Sequence, residues 1–435
     1  MNYTPFHQRR LSLLKRMQAA GGGLAVIPTA PERLRNRDTS FPYRADSYFH
    51  YLTGFPEPEA VLVLIAGEHP QALLFCRDKD IDKEIWDGFR HGPEAARETF
   101  GFDAAHSIKE FDAKLAELLA DQPSLWFSLG HDSAWDVRIT TALNAVRAQT
   151  RSGKRAPAII HDVRATLDEM RLVKDSHEIA LMQQAATIAG TAHRRAMRFA
   201  APGKFEYEVE AEFLHEFRRH GSQSPAYTTI VAGGANACVL HYIDNNRALK
   251  DGDLLLIDAG CELDGYASDI TRTFPVNGRF TGPQADVYDL VLDAQTAAIA
   301  AIRPGANFLD PHNAAVRILA QGMIDLKLLE GSVDAVIETE TYKRFYMHRT
   351  GHWLGLDVHD AGEYRNGDAW RALQPGMALT VEPGCYIRPG DDVPEAFWNI
   401  GVRIEDDVLV TAEGCDILTI DTPKKIADIE ALMRK

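Results

Sequence analysis

The segment Asp251 to Val276, DGDLLLIDAGCELDGYASDITRTFPV, constrains this chain more than any other. It reads as two strands joined by a polar turn, each carrying an aspartate where an apolar side chain would cost less. The aliphatic run Leu254 to Ile257 ends in Asp258, and the return strand, Tyr266 to Phe274, presents Asp269. Asp264 and Gly265 supply the turn between them. A carboxylate at the end of such a run is expected to be buried, and buried charge is costly unless it is paired or binds a metal. Two of them on facing strands point to a shared cation. The plainer alternative is that Asp258 and Asp269 cap turns or pair with Arg272.

The rest of the chain tips that balance. At 435 residues it is too long for one ordinary core and suggests two domains. A hydrophobic content of 45% and a charged content of 25% are those of a soluble globular protein. The net charge of −15, spread along the chain, argues against a hold on nucleic acid or anionic membrane. The 5 cysteines form no CxxC pair, which fits free thiols in a reducing compartment. No run approaches the ~20 apolar residues of a membrane span, and no apolar stretch precedes Gly21. The expected location is cytoplasmic.

Residues 1–170 read as an α/β unit. A basic amphipathic helix, Phe6 to Ala20, stops at Gly21, and short apolar strands follow at Leu24 to Ile27, Ala60 to Ile65, Ala72 to Cys76 and Leu125 to Leu129. Helical patterns occupy Ile108 to Ala120 and Ser133 to Arg147. Nothing here has metal-ligand spacing, and the half reads as an assembly or scaffold module. Residues 171–435 form the second domain. A long helix opens at Asp175, with Glu178 placed for a capping box, and ends at Pro202-Gly203. A second helix runs from Tyr207 to His220. The same order returns later, with a helix from Gln284 to Ile302, Pro304-Gly305, and another helix started by Asp310-Pro311. The strand signals repeat too, Gly252 leading to Asp258 and Gly376 to Glu382. Two related halves facing each other would put their carboxylates around one cleft.

The second half supplies the remaining groups. In Met377 to Glu382, alternation puts Ala378, Thr380 and Glu382 on one face; in Val402 to Val410 it puts Arg403, Glu405 and Asp407 on one face. Ahead of both lies HRTGHWLGLDVH, from His348 through His352 to His359. Asp258, Asp269, Glu382 and Glu405 with His352 carry too much negative charge to bury without a cation. Two divalent ions about 3.5–4 Å apart, bridged by carboxylates, would nearly balance it. Oxygen-rich ligation without thiolate favours Mn²⁺, with Co²⁺ or Zn²⁺ as alternatives. The hydrolytic use of such a site is water made acidic enough to attack a carbonyl near neutral pH.

The strings LLIDAGCELDGYASDITRTFPV, HWLGLDVHD, LTVEPGCYI and GVRIEDDV resemble aminopeptidase P, the Xaa-Pro aminopeptidases of the pita-bread metallopeptidases. The stretch FPYRADSYFHYLTGFPEPEAVLVL extends that resemblance to the first domain. It implies an N-terminal α/β domain followed by a C-terminal α/β (α+β) pita-bread domain of creatinase/aminopeptidase type with pseudo-twofold halves. It makes Asp258, Asp269, His352, Glu382 and Glu405 the metal ligands, with Asp269 and Glu405 bridging and Glu382 also handling the proton of the attacking water. His241, His348 and His359 match the family's other active-site histidines, expected to hold the substrate carbonyl, stabilise the oxyanion and assist departure of the proline nitrogen. Arg403 and Tyr386 match positions that line the site, although Arg403 is equally readable as an ion-pair partner of Glu405 or Asp407. Asp38 and Trp86 sit in first-domain stretches that resemble the family and are candidates to approach the site within an oligomer, and Arg151 and Arg371 are weaker candidates of that kind. His215 and His312, on helices, are expected to be solvated, and Trp353 to be a core or wall residue.

The implied activity is release of an N-terminal residue that precedes proline, by a dimer or tetramer acting on peptides. A prolidase, restricted to Xaa-Pro dipeptides, is the nearest rival. A metal-free creatinase-like hydrolase or a pita-bread module that only binds peptides would be expected to have lost ligand side chains, and all five are present. Methionine aminopeptidase does not need so long a preceding domain. The residues between His348 and His352, and the length of Gly362 to Arg371, depart from the family pattern, which places fine specificity in question.

Overall fold

The computed structural model describes residues 3–434. The chain divides into two compact units, with the boundary between Met170 and Arg171. Among the described residues no helix is long and apolar enough to cross a membrane.

The N-terminal unit is built on a 6-stranded mixed sheet. Its centre is the antiparallel pair Gly23–Pro28 and Val61–Ala66, continued by Gln71–Cys76 on one side and, in parallel, by Ser124–Trp126 and Ile159–His161 on the other. Ala104–Ser107 closes the far edge in parallel with Gln71–Cys76. The central strands read as continuous aliphatic runs because both faces are covered. On one face Leu24, Val26, Val61, Val63, Leu73 and Phe75 pack with the helices Phe111–Leu119 and Ser133–Arg147. The helix Thr4–Ala19 buries Arg10, whose guanidinium donates to the carbonyls of Leu52, Phe100 and Gly101 and so needs no carboxylate.

The C-terminal unit repeats one order of elements. The helices Ser176–Phe199 and Glu206–Arg219 precede the antiparallel pair Leu254–Asp258 and Thr271–Pro275. The helices Gly282–Ala300 and Asp310–Asp325 precede the pair Ala378–Val381 and Asp406–Val410. Asp175 and Glu178 form the expected capping box at the first of these helices. Four aliphatic side chains in Leu254–Asp258 are buried, each worth about 1.5–3 kcal/mol. That gain holds the strand in place even though it delivers a carboxylate into the interior.

In each pair the first strand leads to an acid at its end, and an acid lies just before the second. Asp258 closes Leu254–Asp258, whereas Asp269 falls in the irregular stretch before Thr271–Pro275 rather than within one continuous return strand. The intervening turn is a small hairpin, Cys261–Leu263 with Tyr266–Ala267, in which Asp264 and Gly265 adopt φ of 48° and 86°. Glu382 follows Ala378–Val381, and Glu405 precedes Asp406–Val410. The pairs are stitched together where the acids lie, Glu405 N–H donating to Thr271 O at 3.1 Å.

Candidate metal centre

Backbone pairing brings the acids together. The segment through His352 runs beside the strand that ends at Glu382, with Thr380 N–H donating to His352 O at 2.9 Å and Glu382 N–H to Thr350 O at 2.8 Å. Asp269 N–H donates to both carboxylate oxygens of Asp407, at 3.2 and 3.1 Å. Thr271 Oγ1 donates to Glu405 Oε2 at 2.7 Å. The Tyr227 hydroxyl lies 2.5 Å from Oδ1 of Asp258 and 2.5 Å from Oδ1 of Asp269. Ligand atoms of Asp269, His352 and Glu405 all lie within 4.8 Å of one another.

The electrostatics of this cluster test whether it fits a cation. Burial first, then the neighbouring acids Asp269, Glu382 and Asp258, push the Glu405 carboxyl well above the carboxylate range. Burial pushes Glu382 up to about 7 against the pull of His352 and Arg403. Asp269 is raised by burial and by Asp258. Burial alone would lower His352, but the hydrogen bond to Asp269 and the charge of Glu382 hold its imidazole at about 9. Its Nδ1 lies 2.9 Å from Trp353 O, an atom that only accepts, so Nδ1 carries the proton. Nε2 therefore faces Asp269 Oδ2 at 3.5 Å and Glu382 Oε1 at 3.7 Å. Buried acids that resist ionising around an imidazole nitrogen aimed inward are a donor set that divalent cations relieve. The residues fit.

A hydrogen-bonded chain lies beside the cluster. Arg403 is buried, with one terminal nitrogen 2.7 Å from Asp258 Oδ2 and the other donating to Tyr386 Oη at 3.0 Å. Its ion-pair partner is thus Asp258, not Glu405 or Asp407. Tyr386 Oη lies 2.8 Å from His348 Nε2, and His348 Nδ1 donates to Arg349 O at 2.8 Å, so the tyrosine is the donor to Nε2. Burial and the Arg403 charge push His348 down to about 3, so it stands neutral. His359 packs against His352, the rings tilted by 50° with centroids 4.1 Å apart. His241 and His359 are exposed on the wall of the same cleft, a cavity of about 990 Å³.

His312 departs from expectation. It is half-buried in this cleft, Nδ1 is 2.8 Å from Thr350 Oγ1, and burial followed by the Arg349 and Lys343 charges pushes it down to about 4. It sits at the start of its helix, where the chain turns into the cleft. His215 is exposed and Trp353 buried. Tyr227, which bonds two of the acids, was not singled out in the sequence; it lies in an aperiodic polar stretch ahead of Ile230–Gly233, and a tyrosine beside a strand carrying no other acid offers no signal. Asp38 and Trp86 are exposed residues of the N-terminal unit, and neither lines the cleft.

Paired antiparallel strands carrying acids from two repeats, with an imidazole between them, define the class as a metal-dependent hydrolase of the pita-bread type. Residues 180–412 match metallopeptidase family M24, and residues 6–126 match the aminopeptidase P N-terminal domain. The Xaa-Pro aminopeptidase of Escherichia coli K12 is 46% identical over 430 residues, 98% of this chain and 97% of that protein. The structure of Pseudomonas aeruginosa aminopeptidase PepP superposes with a TM-score of 0.97 at 49% identity, covering 100% of this chain and 98% of that one. Zn-substituted E. coli aminopeptidase P in complex with product gives a TM-score of 0.97 at 46% identity, covering 100% and 99%. The chain belongs to the aminopeptidase P family of M24 metallopeptidases, which use divalent metal ions.

Proposed function

We propose that this chain removes the N-terminal residue from peptides whose second residue is proline, using two divalent ions held by Asp258, Asp269, His352, Glu382 and Glu405. The observation that carries the reading is the convergence of three carboxylates, Asp269, Glu382 and Glu405, on one inward-facing imidazole nitrogen, with Asp258 joined to Asp269 through the Tyr227 hydroxyl. Two divalent charges match four carboxylates, whereas one would leave the cluster strongly negative. Asp269 and Glu405, whose ligand atoms lie within 4.8 Å of each other and of His352, would be the ligands shared by the two ions, as the family resemblance implies. Mn²⁺ is the proposed metal, since oxygen donors outnumber nitrogen and no thiolate contributes.

Bound ions of this kind supply Lewis acidity, which makes water acidic enough to attack near neutral pH and polarises the scissile carbonyl. Glu382, which lies between His352 and His348 at the edge of the cluster, is assigned to take the water proton and pass it on. His241 and His359 line the same cavity as the acids and are assigned to hold the substrate carbonyl as charge develops. The Arg403–Tyr386–His348 chain ends beside Glu382, with His348 Nδ1 3.7 Å from Glu382 Oε2, and is assigned to the departing proline nitrogen. That nitrogen has no N–H in the substrate and must gain a proton to leave. The exposed apolar face near Trp86 supports self-association, and the free cysteines support a reducing, cytoplasmic location.

The test is hydrolysis of Ala-Pro-Ala, Ala-Pro and Ala-Ala-Ala by metal-stripped protein before and after Mn²⁺ addition. The expected result is Mn²⁺-dependent release of alanine from Ala-Pro-Ala alone. Cleavage of Ala-Pro alone would make the chain a prolidase, and cleavage of Ala-Ala-Ala at a similar rate would remove the proline requirement.

A further inference from the structure

The far wall of the cleft carries charge that the chemistry above leaves unused. On this wall Phe308 packs over the buried Trp353 (centroids 4.6 Å apart) and lies beside Trp370 (6.3 Å). The hairpin Arg365–Asn366 with Ala369–Trp370 pairs Arg365 directly across from Trp370. The Arg365 guanidinium lies 4.2 Å from the Trp370 ring centroid, and the Arg349 guanidinium lies 5.6 Å from it. All three side chains line the cleft. Both arginines are exposed, and among the described residues neither is ion-paired. Glu363 and Asp368, the acids on the same loop, pair with neither.

This is unusual for a chain with 62 acidic and 47 basic residues, in which an arginine readily finds a carboxylate. A guanidinium held against an aromatic face keeps its N–H edge free for a planar two-oxygen acceptor. The ring fixes the two cations near each other and lowers the entropy lost when they grip an anion. Arg349, Arg365 and Trp370 line the same cavity as His352 and His359, so an extended peptide, at about 3.3–3.6 Å per residue, can run from the metal centre to them within one cleft. We propose that Arg349, Arg365 and Trp370 form a carboxylate subsite for the residue after the proline, favouring either the C-terminal carboxylate of a tripeptide or an acidic side chain at that place. The inference rests on the Xaa-Pro reading for the direction in which the peptide lies.

The test compares Ala-Pro-Ala, its C-terminal amide, and Ala-Pro-Glu-amide on the wild-type, Mn²⁺-loaded protein and on Arg349→Gln/Arg365→Gln and Trp370→Leu variants. The expected result is a roughly tenfold preference, carried mainly by KM, for the free acid over its amide. The double variant should reduce that preference to near one. A gain for Ala-Pro-Glu-amide over Ala-Pro-Ala-amide would assign the subsite to side chains as well; its absence would restrict it to the chain terminus. Equal kcat/KM for all three peptides in the wild type, or a preference unchanged in the double variant, would overturn the proposal. Were the wild type to cleave none of them, the functional reading would fail. The subsite would then be judged by calorimetric binding of the same peptides, where equal affinity for acid and amide overturns it.

Discussion

At the scale of single residues, the buried titratable groups around the cleft have separate jobs. His193 shows this outside the acid cluster. Its ring is buried against Phe213, with Nε2 3.2 Å from Ala259 O. Burial, then the Arg272 charge, pushes it down to about 3. The unfolded chain takes up a proton at His193 as pH falls below 6.5, whereas the folded chain does not until about 3. The stability it contributes is therefore whole above 6.5 and is lost across that window, by about 2 kcal/mol at pH 5. Urea unfolding of metal-free wild type and His193→Gln at pH 7 and pH 5 checks this. The wild type should lose about 2 kcal/mol more than the variant, and equal losses would contradict the assignment. Much at this scale was legible in the chain, because Asp258, Glu382 and Glu405 each break an aliphatic run at a strand end. Arg403 was not, since its partner Asp258 is far away in sequence and nearer acids offered themselves.

At the scale of elements, the loop carrying His359 is anchored by a buried ion cluster. Asp360 accepts from Arg171 at 2.6 Å and from Lys174 at 2.8 Å, and all three side chains are 1% exposed. Burial pushes the Asp360 carboxyl up, but Lys174 and Arg171 outweigh it and hold it below the ordinary value. Asp360→Asn leaves the buried Lys174 without its carboxylate and Arg171 with the half-buried Asp357, 2.7 Å away, and should cost about 3–5 kcal/mol at pH 7. A depressed carboxylate contributes its stability above the unfolded value of 3.8 and loses it as pH falls through the lower folded value, so the gap between wild type and variant should begin to narrow below pH 4. Denaturant midpoints at pH 7 and pH 3.5 measure both, and a loss under 1 kcal/mol at pH 7 would mean that solvent reaches the cluster. Helix and strand order was readable here from caps and periodicity. The break before Thr271 was not, because the pattern of Tyr266 to Phe274 stays strand-like while Ser268 to Ile270 is diverted to deliver Asp269 toward Asp407. His312 was misjudged for a related reason: its helix is amphipathic, but its first turn faces the cleft rather than water.

At the scale of the whole molecule, the N-terminal unit exposes a cluster of large apolar side chains. Ile81, Ile85 and Trp86 on one short helix, with Phe89 after it, are 72%, 76%, 88% and 67% exposed. Such a patch marks an interaction surface, and self-association is the expected use. Sedimentation velocity of the wild type should show a dimer or larger species that Ile85→Asp/Trp86→Asp reduces toward monomer, whereas a monomeric wild type would remove the expectation. The account as a whole depends on the cation count. The most direct measurement is calorimetric titration of Mn²⁺ into the metal-stripped protein, with peptidase activity followed at each addition. Two equivalents bound per chain, with activity rising over the same range and both lost in Asp269→Ala, is the predicted result. One equivalent supporting full activity, or two bound unchanged in Asp269→Ala, would contradict it.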